Sequence, residues 1–151
     1  MAYWIMKSEP SEYSIDDLER DRVSSWFGVR NYQARNFMRD NMKEGDEVFF
    51  YHSSCDEVGI VGFAKVVGKP HPDETQFDSK SDYFDPKATR EKPIWICIDV
   101  AFSLKYPRVI TLGELRNMRG LEHMRILQKG NRLSITPLTD NEGEILKKAC
   151  Y

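Results

Sequence analysis

Apolar and polar positions along this chain follow two periods, and together they predict five or so strands joined by short helices. Tyr3 to Lys7 reads as a first strand, apolar as far as Met6 and closed by the polar Lys7-Ser8-Glu9-Pro10. Ser14 with Asp17 is a capping-box-like start for a short helix through Leu18 towards Arg20. A loop through Ser24-Ser25 follows. From Asn31 the apolar Ala34, Phe37, Met38 and Met42 fall near helical spacing, with Gly45 as the stop and with Arg35 and Arg39 along one flank. Glu47 to His52 and Gly59 to Val67 are β-prone runs separated by the turn-rich residues 53 to 57, which predicts a hairpin. Residues 68 to 93 carry Gly, Pro, Asp, Ser and Lys with Phe77, Tyr83 and Phe84 interspersed, and they read as a long ordered loop over a scaffold. Loops of this length often carry function.

Ile94 to Phe102 is the clearest strand, with Ile94, Ile96, Ile98, Val100 and Phe102 on one face. Thr111 with Glu114 caps a short helix containing Leu112 and Leu115, and a second helical piece is expected from Leu121 to Leu127. Arg132 to Leu138 is a last strand, where Pro137 points to an edge or an end. Thr139 with Glu142 opens a C-terminal helix with Ile145, Leu146 and Ala149 inward. Strands and helices that do not alternate as βαβ units favour an α+β fold, a curled mixed sheet or small barrel flanked by short helices.

Composition narrows the class without changing that picture. At 151 residues the chain fits a single domain spanning 1–151, and 40% hydrophobic with 30% charged residues argues against disorder. No apolar run approaches the length that crosses a bilayer, and the opening residues turn polar too soon for a signal peptide, so a soluble intracellular protein is expected. Cys55, Cys97 and Cys150 are far apart, with neither a C-x-x-C pair nor histidines at ligand spacing, which excludes a disulfide scaffold and an obvious zinc site. A net charge of −2 and a pI near 5.9 mean that nucleic-acid binding must come from a local basic patch and a pocket.

Candidate chemistry is densest at residues 24 to 36. Trp26 and Phe27 offer flat apolar faces, Gly28 permits a sharp turn, and Arg30, Asn31, Gln33, Arg35 and Asn36 supply donors and acceptors. A flat, edge-polar ligand such as a nucleobase suits this set; a core Trp26 with solvated polar neighbours is the alternative. Lys7-Ser8-Glu9 and Tyr51-His52-Ser53, each at a strand end, would complete a small pocket with Trp26 if their strands are neighbours. Arg20, Arg22, Arg30, Arg35 and Arg39 are candidates for phosphate contact, against solvation and pairing with Asp16, Asp21 or Asp40. His52 beside Ser53 and Cys55 admits a general-base reading, but adjacent strand residues point to opposite faces and no G-x-S-x-G elbow is present. His71 and His123 read as surface or locally bonded. No catalytic residue, cofactor or metal is expected, since the carboxylates at Asp16-Asp17, Asp73-Glu74 and Asp82 to Asp85 lack partner histidines and no P-loop or deaminase motif occurs.

Several longer motifs then carry a resemblance: residues 3 to 10, Tyr-Trp-Ile-Met-Lys-Ser-Glu-Pro; residues 26 to 36, Trp-Phe-Gly-Val-Arg-Asn-Tyr-Gln-Ala-Arg-Asn; residues 50 to 55; and Gly-Ile-Val-Gly at 59 to 62. With residues 73 to 78, 83 to 86 and 132 to 137 they resemble the EVE domain family over essentially the whole chain. The resemblance implies a PUA-like fold, a small mixed β-barrel flanked by helices, related to the YTH and SRA domains that hold modified bases. It implies a non-catalytic reader of a modified nucleobase, such as a methylated or hydroxymethylated cytosine, in DNA or RNA. A nucleoside-like small-molecule sensor, or an enzyme dependent on His52, is the alternative. Carried over, the pocket draws on Lys7, Ser8, Glu9, Trp26, Asn31, Tyr51, His52 and Ser53, with Arg30, Arg35 and Arg39 as phosphate or peripheral contacts. Whether Arg30 and Asn31 face the ligand or hold the loop is open on spacing alone. The expected partner is nucleic acid carrying the modified base, with a separate nuclease or other effector acting on the signal. Without the basic N-terminal extension of nuclear relatives, a cytoplasmic, bacterial-type member is expected, and a nuclear one if the source is eukaryotic.

Overall fold

Local signals at the helix starts hold in the computed structural model, which describes residues 2–130 and 133–149. Ser14 and Asp17 exchange hydrogen bonds to open α1 (Ile15–Asp21), and Thr111 and Glu114 do the same for the five-residue helix Leu112–Arg116. Thr139 and Glu142 bond reciprocally where the helix Asp140–Ala149 begins. Each box satisfies amide donors that the first helical turn leaves open.

Six strands form one sheet: β1 (Tyr3–Ser8), β2 (Val23–Ser25), β3 (Glu47–His52), β4 (Gly59–Pro72), β5 (Ile96–Thr111) and β6 (Ile135–Leu138). Their spatial order is β2-β5-β4-β3-β1-β6, with β1 parallel to β3 and the other neighbours antiparallel. Between them lie α1, α2 (Tyr32–Asn36) and α3 (Leu112–Arg116), and α4 (Asp140–Ala149) follows the last strand. The sheet curls strongly. Trp26, one residue past β2, packs its ring 5.4 Å from Phe50 on β3, although β5 and β4 separate those two strands in the sheet. At an ordinary strand spacing of about 4.8 Å a flat sheet would hold them far apart. The result is a small open barrel flanked by short helices.

Alternation along β1 and β3 divides the core in two. Trp4, Met6, Val48 and Phe50 face inward with Trp26 and Ile135, under α1 and α2. Tyr3, Ile5, Phe49 and Tyr51 face the other way, beneath Leu115, Leu121, Met124 and Leu146.

Several boundaries differ from the sequence expectation. Ser24-Ser25, expected in a loop, belongs to β2, where three residues pair with Ala101, Val100 and Asp99. β4 runs past Val67 to Pro72 and β5 past Phe102 to Thr111, because register shifts absorb the turn-like residues of this long hairpin pair. The second predicted helix is α2 followed by a π-helical turn, Phe37–Asn41. The piece expected from Leu121 to Leu127 is reduced to a 3-10 turn, Arg125–Leu127. Arg132, expected to start the last strand, lies outside the described residues; Pro137 sits on β6, at the sheet edge.

Candidate functional site

A cleft of about 690 Å³ opens where β1 ends, and the segment after β2 forms its opposite wall. Lys7, Ser8 and Glu9 line it on the β1 side, and Trp26, Gly28, Arg30 and Asn31 on the other, with Tyr83 and Ser134 closing the rim. Trp26 is its aromatic floor. The Trp26 amide donates to Ile98 O at 2.8 Å, its ring meets Phe50 edge-on at 78°, and only 8% of it is exposed. Its indole N–H donates to no described residue and is not among the buried unpartnered polar atoms, so it is open to the cleft.

Lys7 is the second unpartnered donor. Its backbone N–H donates a hydrogen bond to Ser134 O, yet its ammonium makes no ion pair or hydrogen bond among the described residues. Burial holds its pKa below the ordinary lysine range. The Ser8 hydroxyl donates to Tyr13 O at 2.7 Å, and Glu9 O receives the amides of Glu12 and Tyr13, so both residues build the wall. Asn31 caps α2, its Oδ1 accepting from the Ala34 amide.

Arg30 holds the loop. Its Nε and Nη2 donate to Tyr83 O, Nη1 reaches Asp73 Oδ2 and Val29 O, and Nη2 also reaches Thr75 Oγ1. Every nitrogen of the fork is engaged, which leaves none for a phosphate. Asp73 is 1% exposed and accepts as well from the Gly28 and Thr75 amides. Burial pushes this carboxyl up, but the hydrogen bonds from Thr75, Gly28 and Arg30 outweigh burial and hold it below its ordinary range. Beneath it the buried Gln76 uses its whole amide, donating to Asp73 O and Trp95 O and accepting from the Ile94 and Trp95 amides. Gly28, at φ +80°, lets the Tyr83 ring approach to where a Cβ would stand 2.7 Å away. Asp73, Gln76, Tyr83 and Trp95 therefore shape the cleft, and none of them was named as a site residue from sequence.

The other expected site residues fall elsewhere. Tyr51 alternates onto the far face of β3 and packs in the other core. His52 shares the Trp26 face, but α1 covers it and its Nε2 accepts the Ile15 amide at 3.1 Å. Burial lowers its pKa, which suits this neutral acceptor role. Ser53 bonds through its amide to Ser8 O and does not line the cleft. Arg35 is held by Asn36 Oδ1 and Ile94 O over the Tyr32 ring, and Arg39 pairs with its neighbour Asp40. The pocket expected from the ends of the first and third strands is thus built from the ends of β1 and β2, the loops that follow them, and Tyr83 and Ser134.

Across residues 2–149 the sequence matches the EVE domain family. The chain belongs to that family. Human thymocyte nuclear protein 1 is 41% identical over 160 residues, spanning 93% of this chain and 70% of that protein. A solved structure of a Pseudomonas syringae protein superposes with a TM-score of 0.94 at 49% identity, covering 99% of this chain and all of that one. The structure of human THYN1 protein in complex with 5-methylcytosine-containing DNA superposes at 0.91 and 39% identity, covering 99% and 97%. In this EVE domain, with its α+β, PUA-like open barrel, the 26 to 36 motif supplies floor, loop latch and helix cap to one cleft wall.

Proposed function

We propose that this EVE domain is a non-catalytic reader of a modified nucleobase in nucleic acid, with 5-methylcytosine in DNA as the first candidate. The observation that carries the reading is the cleft, whose aromatic floor and two unpartnered donors lie in the same fold as a human protein solved with 5-methylcytosine DNA. A base inserted beside Trp26 gains stacking of about 1–3 kcal/mol. The Lys7 ammonium would meet an acceptor on the base edge, and a hydrogen bond to a charged group adds about 1.5–3 kcal/mol. Together these offset the few kcal/mol that extruding a base costs. One added methyl in an apolar contact is worth about 1–3 kcal/mol, so the preference over unmodified cytosine is graded. Support for a non-catalytic role comes from His52, engaged with α1, and from Cys97, whose thiol burial pushes up to about 12.

The test is a titration against matched oligonucleotides, DNA and RNA, carrying cytosine, 5-methylcytosine, 5-hydroxymethylcytosine, adenine or N6-methyladenine. Trp26→Ala would also empty the contact with Phe50 and cost roughly 3–5 kcal/mol of stability, so Trp26→Leu is the cleaner variant. Parent binding that favours one modified base, weakened about ten-fold or more in Trp26→Leu, is the expected result. Equal binding by Trp26→Leu would put the base elsewhere, and a free nucleoside binding as tightly as the oligonucleotide would turn the reading into a small-molecule sensor.

A further inference from the structure

We infer that the nucleic-acid backbone is gripped by the segment from Arg116 to Lys129, on the β6 side of the cleft, and not by the arginines of the α2 region. This rests on the reading above and deepens it. The stretch 116 to 130 carries four cations, Arg116, Arg119, Arg125 and Lys129, against the single carboxylate Glu122, in a chain with 22 cations and 24 carboxylates overall. All four cations are exposed, and their side chains make no hydrogen bond or ion pair among the described residues. Glu122 is turned onto the Gly120 amide. Free, clustered cations are what counterion release from a phosphate backbone requires.

Position supports the same partner. Leu121 and Met124 are fully buried with Ile5 and Tyr51, which fixes the segment to the face of β1 and β3 opposite Trp26, so that it reaches the cleft only around the β6 edge. The turn Arg125–Leu127 packs against β6, whose preceding residue Ser134 lines the cleft as well. The opposite flank repels a phosphate chain: residues 9 to 21 hold six carboxylates and one cation, Arg20, which is paired with Asp17 and Asp21. The loop from 78 to 93 is balanced, with four charges of each sign. Arg30 and Arg35 hold loops, and Arg39 holds Asp40. A strand whose base enters the cleft therefore leaves across β6.

The experiment is fluorescence anisotropy of methylated and unmodified duplexes across a salt series, with parent, with a variant combining Arg116→Gln, Arg119→Gln, Arg125→Gln and Lys129→Gln, and with a control combining Lys80→Gln, Lys87→Gln and Lys92→Gln. The basic-segment variant is expected to melt like the parent and to lose at least about ten-fold in affinity for both duplexes at low salt. Its log–log salt slope should fall by roughly 0.9 per phosphate contact removed, while the ratio between methylated and unmodified affinity stays that of the parent. The control variant should keep the parent slope. An unchanged slope and affinity in the basic-segment variant would overturn the inference, and with Trp26→Leu still abolishing the preference the reader function would stand without it. A lost slope with no base preference in the parent keeps the backbone grip and removes the modified-base reading. Absence of oligonucleotide binding by the parent overturns both.

Discussion

At Lys7, the proposed base contact sets binding against stability in one side chain. Burial lowers its pKa from the ordinary 10.5, and no described group pairs with its ammonium. Below that lowered value the lysine is charged in folded and unfolded chains alike, and the desolvation penalty is present in full. Between the lowered value and 10.5 the unfolded chain binds more protons, so stability rises with pH there and the penalty is relieved. Lys7→Met, which keeps the apolar stem, should melt higher than the parent at neutral pH, with the gain shrinking towards pH 10. It should bind the modified oligonucleotide about ten-fold or more weakly, the loss of one charge-assisted hydrogen bond. Melts at both pH values and one titration check the pair, and a less stable variant would mean that Lys7 has a stabilising partner. His52 shows the same linkage at lower pH. Burial depresses its folded pKa below 6.5, so the unfolded chain takes up protons first as pH falls, and stability drops below pH 6.5. His52→Gln offers an acceptor to Ile15 without titrating. The stability difference between parent and variant, from urea unfolding at pH 5 and pH 7, should therefore change in the parent's favour as pH rises; a difference constant with pH would detach His52 from the α1 contact.

Between elements, the latch joining residues 28 to 30 to residues 73 to 95 decides whether the cleft exists. Arg30 and Asp73 are 22% and 2% exposed in their side chains, and removing one partner of so buried a pair costs about 3–5 kcal/mol. Asp73→Asn should therefore lose roughly that much stability at pH 7. Because the folded Asp73 carboxyl is depressed, its contribution is complete above the ordinary 3.8 and is lost as pH falls through the lower folded value. The deficit of the variant should accordingly be the same at pH 7 and pH 5 and shrink only in stronger acid; urea unfolding across that range decides it. This latch is also where sequence reading reached its limit. Capping boxes were legible because both partners lie three residues apart, and strands such as Glu47–His52 because their residue types form a continuous β-prone run, buried on both faces. Asp73 reads as an ordinary loop carboxylate, since its partners Gly28 and Arg30 lie 45 and 43 residues away. β2 was illegible for a similar reason: its three residues are half-exposed and become a strand only by pairing with β5. Trp26 and Lys7 could be named for the cleft wall from residue type, whereas the placement of Tyr51 and His52 away from the cleft needs the face that β3 turns to α1.

For the whole molecule, the two cores on opposite faces of the sheet allow stability and recognition to be separated. The cleft belongs to the core containing Trp26 and Phe50, while α4 covers the other, where Leu146 is buried beside Tyr3. Tyr3 fastens this helix from below: its hydroxyl donates to Glu144, and that bond, with burial, pushes the phenol up to about 12. Gly143 is the position that permits the contact, since a Cβ there would fall within the Tyr3 ring. Helix propensity alone favours alanine over glycine by about 1 kcal/mol, whereas overpacking of this kind costs about 1–3 kcal/mol. The clash is with a buried ring held by neighbours on both sides, so packing outweighs propensity and Gly143→Ala should destabilise. Unfolding in urea is expected to show a lower midpoint with the parent's slope, and a raised midpoint would show that α4 shifts freely on the sheet. Base preference of the folded variant should equal that of the parent, because no residue of α4 lines the cleft. A changed preference would instead reveal that the two faces of the sheet are energetically coupled through β1, the strand that contributes Tyr3 to one face and Lys7 to the cleft.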